Sequence, residues 1–265
     1  MDSIRPAAAR FAAGKDKRPS RVPRAPHPDA QPRRSNAPLR KYEVAYLNGA
    51  GKIEYVTRMA PALPVFEDAF GALGHGAILQ TETGPVAVED LHPGDRIRVA
   101  NGGYETLLWR GAITIKPDDP NASPETSSLI RIMADALGYD RPSPDLVLGP
   151  TARLYHKANG IRAMTGSDAA FIPARDFVDG TYIIALRPAA PVNVYQLGFA
   201  RHQRLSVNGI DIESLHPGTA FALGLRGEML ATYLSLFPHK RSLEDFDIMQ
   251  NPRLRLRDLD LFAGN

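Results

Sequence analysis

Between Gly76 and Pro217 the chain runs in short β-branched stretches, each closed by a turn signal, and that rhythm restricts what it can fold into. Ala77-Ile78-Leu79-Gln80-Thr81 ends at Glu82-Thr83-Gly84-Pro85, and Arg96-Ile97-Arg98-Val99 stops just before Asn101-Gly102-Gly103. The pattern continues through Thr106 to Ile115, Leu129 to Met133, Tyr182 to Leu186, Val192 to Leu197 and Leu205 to Val207. Turn signals at such intervals predict a mainly β fold with few helices. Upstream, Tyr42 to Leu47 and Lys52 to Thr57 flank Asn48-Gly49-Ala50-Gly51, the pattern of a β-hairpin. Downstream the period changes. Ala222, Leu225, Met229, Leu230 and Tyr233 lie at helical spacing, with Gly224 and Gly227 as weak points, and Ser242 is placed to cap a second short helix. The alternating tail from Pro252 to Phe262 fits either an edge strand or an interaction segment.

The first 41 residues stand apart. They hold eleven Lys/Arg against three Asp and seven of the 23 prolines, with few large apolar side chains to repay the entropy of ordering. They read as a disordered, semi-extended basic arm: a solvated linker, or an electrostatic contact to nucleic acid or another acidic surface. Only Phe11 is interleaved with the basic residues, which weakens the case for stacking on single strands. The remaining residues carry a net charge of −5, so the high isoelectric point belongs to the arm alone.

No uninterrupted apolar run approaches the roughly 18 residues of a membrane span, and Met1 to Arg10 lacks the apolar core of a signal peptide. A cytoplasmic chain is the expectation. There is no cysteine, which excludes disulfides, thiolate metal sites and a thiol nucleophile together. The seven histidines are scattered without ligand spacing, and no glycine loop has the strand and helix context that cradles a phosphate. Neither a metal nor a cofactor is therefore expected.

Three ordered patterns carry a resemblance. The first is Ala72-Leu73-Gly74-His75-Gly76-Ala77-Ile78-Leu79 followed by Val88-Glu89-Asp90-Leu91-His92-Pro93-Gly94-Asp95. The second runs through Asp145-Leu146-Val147-Leu148-Gly149-Pro150-Thr151-Ala152-Arg153-Leu154. The third contains Val194 to His202 and ends in Glu213-Ser214-Leu215-His216-Pro217-Gly218. Over residues 68 to 220 this set resembles the Hint domains of hedgehog and intein self-processing proteins, in their bacterial hedgehog-type form. The resemblance implies a Hint β-fold at 68–220, preceded by the arm at 1–41 and a hairpin at 42–67, and followed by a helical extension at 221–265.

In active relatives the first cysteine attacks the preceding carbonyl, and histidines in the second and third blocks assist by proton transfer. Carried over, the nucleophile falls on Ala72 and the second-block histidine on Ala152, so only His202 remains. Alanine can neither attack nor move a proton. The resemblance thus implies a vestigial pocket of Ala72, His75, Thr151, Ala152 and His202 with no intact catalytic set. Thr151 could at most supply a hydrogen bond, His75 reads as a loop residue, and His202 as a hydrogen-bonded relic. The implied function is a Hint-fold module, no longer self-processing, that binds a protein or peptide. The alternatives are a residual autoprocessing peptidase and nucleic-acid or acidic-surface binding through the arm.

Overall fold

The computed structural model describes residues 37–117, 119 and 124–260; the basic arm as far as Asn36 lies outside the described residues. Two antiparallel sheets carry the fold. Across the first, the strands lie in the order Ile183–Leu186, Leu129–Ile132, Leu146–Leu148, Leu73–Gly74, Val192–Gly198, Trp109–Ile115, Leu39–Leu47 and Ile53–Pro61. Across the second they run Ala170–Pro173, Arg153–His156, Ile210–Glu213, Arg204–Val207, Ile78–Thr81, Arg96–Arg98 and Tyr104–Thr106, with Gly84–Ala87 paired to Ile78–Thr81. No helix among the described residues is long and apolar enough to cross a membrane.

Side chains alternate faces along a strand, so the first sheet serves two cores at once. Ala112, Tyr195 and Leu197 face the second sheet and join Leu79, Ile97, Leu154, Leu205 and Ile212 in the larger core. Their neighbours Ile113 and Val194 face the other way, into a second core built largely of aromatic rings. That core combines Tyr42, Phe66 and Phe70, all before Gly71, with Tyr233, Phe237 and Phe246, which follow the Hint-like region. Trp109 sits between them, with ring centroids 5.1 Å from Phe70 and 5.3 Å from Phe237.

The first hairpin forms where the Asn/Gly turn predicts it. The Asn48 side-chain oxygen accepts from the backbone N–H groups of Ala50 and Lys52, both at 2.9 Å. Its first strand starts at Leu39, inside the segment assigned to the arm. The reason is local: Arg40 is only 12% exposed and pairs with Glu67 at 2.8 Å and Asp119 at 3.0 Å, which anchors residues that composition alone would leave in solvent. The helical period beyond residue 220 is realised as two helices, Ala220–Leu223 and Gly227–Leu234, broken at Gly224, whose φ of 63° ends the first. The alternating tail makes a single parallel bridge, Arg253 to Phe171, and then turns into the helix Leu256–Asp260 instead of extending as an edge strand.

Candidate functional site

The peptide bond between Gly71 and Ala72 enters the first sheet at its middle. Leu73 pairs with both Leu148 and Tyr195, so the chain at this point is fixed from two sides. Ala72 donates its N–H to Tyr195 O at 3.1 Å, and its carbonyl accepts from Gly149 N–H at 2.8 Å. The Gly71 carbonyl accepts from Thr151 N–H at 3.0 Å. The turn Gly149 to Ala152 therefore presses directly on the 71–72 peptide. It does so because residue 149 is glycine: a Cβ there would stand 2.1 Å from the Gly71 oxygen. Glycine at 149 is thus required by this packing.

Ala72 and Ala152 are each 1% exposed and both belong to the larger core. The Thr151 hydroxyl is buried with no hydrogen-bond partner, 3.3 Å from where a Cβ on Gly71 would stand. Ala72, Thr151 and Ala152 thus meet at one junction. His75 is elsewhere. Its side chain is 65% exposed and pairs with Glu89 at 3.2 Å, on the surface beyond the opening strand.

His202 is buried, and it is tied to a different set of groups. Its Nδ1 accepts from Gln250 N–H at 3.1 Å, so the proton of the neutral ring sits on Nε2. Nε2 lies 3.3 Å from Glu213 Oε1, a long contact off the line of a good hydrogen bond. Glu213 is 3% exposed and also accepts from Arg253 Nε at 2.9 and 3.1 Å, with Arg153 Nη1 3.6 Å away. Burial pushes this carboxyl up, but the His202 contact and the guanidiniums of Arg253 and Arg153 outweigh it and hold it below the usual carboxylate range. His202 Nδ1 is thus committed to the Gln250 N–H, and Nε2 faces the Glu213 carboxylate without a well-formed hydrogen bond.

Glu213, Arg153 and Arg253 were not singled out by the sequence. The alternation Ile210-Asp211-Ile212-Glu213 sets Glu213 on the outward side with Asp211, and the only local signal was its place in the Glu-Ser-Leu-His-Pro-Gly ending. It is buried because Arg253, 40 residues along the chain, closes over it.

Two other histidines make the fold acid-sensitive. Burial pushes His216 down to about 4 and His239 down to about 3, the latter with both ring nitrogens buried and unpartnered beside Trp109. In the unfolded chain each binds a proton near pH 6.5. Between pH 6.5 and about 4 the unfolded state therefore holds more protons, and stability falls as pH falls. The upper limit is about 1.4 kcal/mol per pH unit per ring, less where solvent reaches it. Urea midpoints measured at pH 7, 5.5 and 4.5 should fall in that order, and His239→Phe should flatten the slope; an unchanged midpoint across that range contradicts the account.

Comparison with known proteins places this geometry. The model of the Hint domain family matches residues 72–219, beginning at Ala72 itself. No curated protein matches the chain. Similar solved structures include a bacterial intein-like domain from Clostridium thermocellum, at 15% identity over 54% of this chain and 98% of that one, with a TM-score of 0.38. Another is the AceL NrdHF class 3 split intein in a splice-inactive variant, at 11% identity over 55% of this chain and 98% of that one, with a TM-score of 0.37. With the family match spanning more than half of its residues and two antiparallel sheets carrying the fold, the chain belongs to the Hint-domain family.

Proposed function

We propose that the chain keeps its Gly71–Ala72 bond and works intact, as a Hint-fold module that binds a protein or peptide segment. The observation that carries this reading is the second core. Residues before the junction, Tyr42, Phe66 and Phe70, and residues after the Hint domain, Tyr233, Phe237 and Phe246, pack on one another and on Trp109. Among the described residues, the segments on both sides of the Hint domain share one core with it, which argues against either being cargo to be released. The chemistry agrees: Ala72 offers no nucleophile, Ala152 offers no acid, and His202 is held by Glu213 and Gln250.

One observation speaks for residual cleavage, the unpartnered Thr151 hydroxyl beside Gly71. Attack on the Gly71 carbonyl would form an ester on Thr151 and expel the Ala72 amine, which must gain a proton. The position that would donate it is Ala152, and the Ala72 N–H is already bound to Tyr195 O. Whole-protein mass spectrometry after prolonged incubation, with and without hydroxylamine, tests both readings. The expected result is one species at the full 28.9 kDa. Paired fragments ending at Gly71 and beginning at Ala72 would overturn the non-processing reading, and Ala72→Cys with Ala152→His gives the reference rate.

A further inference from the structure

Beside the His202–Glu213 network lies a cavity of about 270 Å3 faced by two guanidiniums, Arg153 and Arg253. They differ in how well they are satisfied. Arg253 donates Nε to Glu213 and Nη2 to His216 O at 2.7 Å. Arg153 is 20% exposed, and its closest acceptors are Thr151 O at 3.5 Å, Glu213 Oε2 at 3.6 Å and Asp68 Oδ2 at 3.8 Å. None of these is at the roughly 2.7–2.9 Å of a charge-assisted hydrogen bond. A cation has given up most of its water here with both its anions beyond hydrogen-bond distance, which is costly unless something else supplies a closer one.

We propose that this cavity binds a small carboxylate, such as the free C-terminus of a peptide, seated on Arg153 in place of Asp68. Asp68 is the replaceable partner because it is 47% exposed and can turn into solvent, whereas Glu213 is enclosed. The charge count favours a monoanion. Arg153 and Arg253 are balanced by Glu213 and Asp68, and His216 is uncharged, accepting from Gly218 N–H on Nδ1 while Nε2 meets Asp247 O. With Asp68 turned out, Arg153 is short of one negative charge, which one carboxylate supplies, and Arg175, which also acts on Arg153, adds to the pull on an anion. Val65, Leu223 and Tyr233 line the remaining wall and suit an apolar side chain next to the carboxylate. The site does not depend on whether the chain cleaves itself.

Isothermal titration of the full chain with N-acetylglycylleucine, its C-terminal amide and inorganic phosphate tests this. The acid should bind and the amide should not; Arg153→Met should weaken the acid by about tenfold or more. Asp68→Asn, a half-exposed position outside both sheets, should tighten it severalfold by removing the competitor, an effect that a merely structural role for Arg153 would not produce. Equal binding of acid and amide, no binding of the acid to either wild type or Asp68→Asn, an affinity unmoved by Asp68→Asn, or tighter binding of phosphate would each overturn the assignment.

Discussion

Glu213→Ala should lower unfolding free energy by about 3–5 kcal/mol, the cost of removing one partner from a buried charge pair. The reasoning is one of asymmetry. Glu213 is 3% exposed and faces Arg253 at 2.9 Å, His202 at 3.3 Å and Arg153 at 3.6 Å. Alanine removes the single negative charge that these groups share and leaves two guanidiniums, only 20% and 22% exposed, repelling each other beside the cavity they line. Arg153 already feels this: burial first, and then Arg253, pull its pKa below the ordinary arginine value. A domain of this kind has roughly 5–15 kcal/mol in all, so the variant should stand near the edge of folding at 25 °C. Glu213→Gln keeps the shape and some hydrogen bonding and should fall between the two. Urea denaturation followed by circular dichroism measures the difference; a loss under about 1 kcal/mol for Glu213→Ala would mean that solvent in the cavity screens these charges as it does on a surface.

Trp109→Ala should cost a comparable amount for a different reason. The indole is fully buried, its Nε1–H donates to Leu236 O at 3.0 Å, and Phe70, Phe237 and His239 pack around it. Truncation leaves a cavity at the centre of the second core, about 3–5 kcal/mol by analogy with other large aromatic deletions. It also orphans the Leu236 carbonyl. For a chain of this size the melting temperature should drop by roughly 6 to 20 °C. Leu236 lies beyond the Hint domain, so the lost bond is one that ties the C-terminal extension to the central sheet. Trp109→Phe fills most of the space and forfeits mainly the hydrogen bond, so it should lose much less. If the alanine variant melts within about 2 °C of wild type, the second core is not holding the flanks.

How far the sequence could be read depended on the range of the signal. The first hairpin was legible because Asn48 and Gly51 act within a few residues, and the strands at Ile78–Thr81, Arg96–Arg98 and Val192–Gly198 were bounded by turn residues beside them. The junction of Ala72 with Thr151 and Ala152 was reachable only through the family motifs, because residues so far apart in the chain carry no mark of adjacency. The same limit explains His202. It belongs to a motif, but its partners Glu213, Gln250 and, through Glu213, Arg253 come from two later segments, and burial decides its role. The tail shows the opposite error. Its alternation reflects separate tasks, with Arg253 reaching Glu213, Arg255 reaching Asp176 and Leu254 and Leu256 entering a small third core. A strand-like pattern arose without a strand.

The shared aromatic core also determines what a broken backbone at residue 71 would look like. The hairpin Leu39–Pro61 is hydrogen-bonded to Trp109–Ile115 along Glu43 to Tyr46, and Phe66 and Phe70 are enclosed by rings from the far end of the chain. A cut there would give a two-piece protein held by its own interior, with the mass and shape of the uncut one in any native separation. Only denaturation would tell them apart, so a gel or column run under native conditions has no power to report whether this Hint domain processes itself.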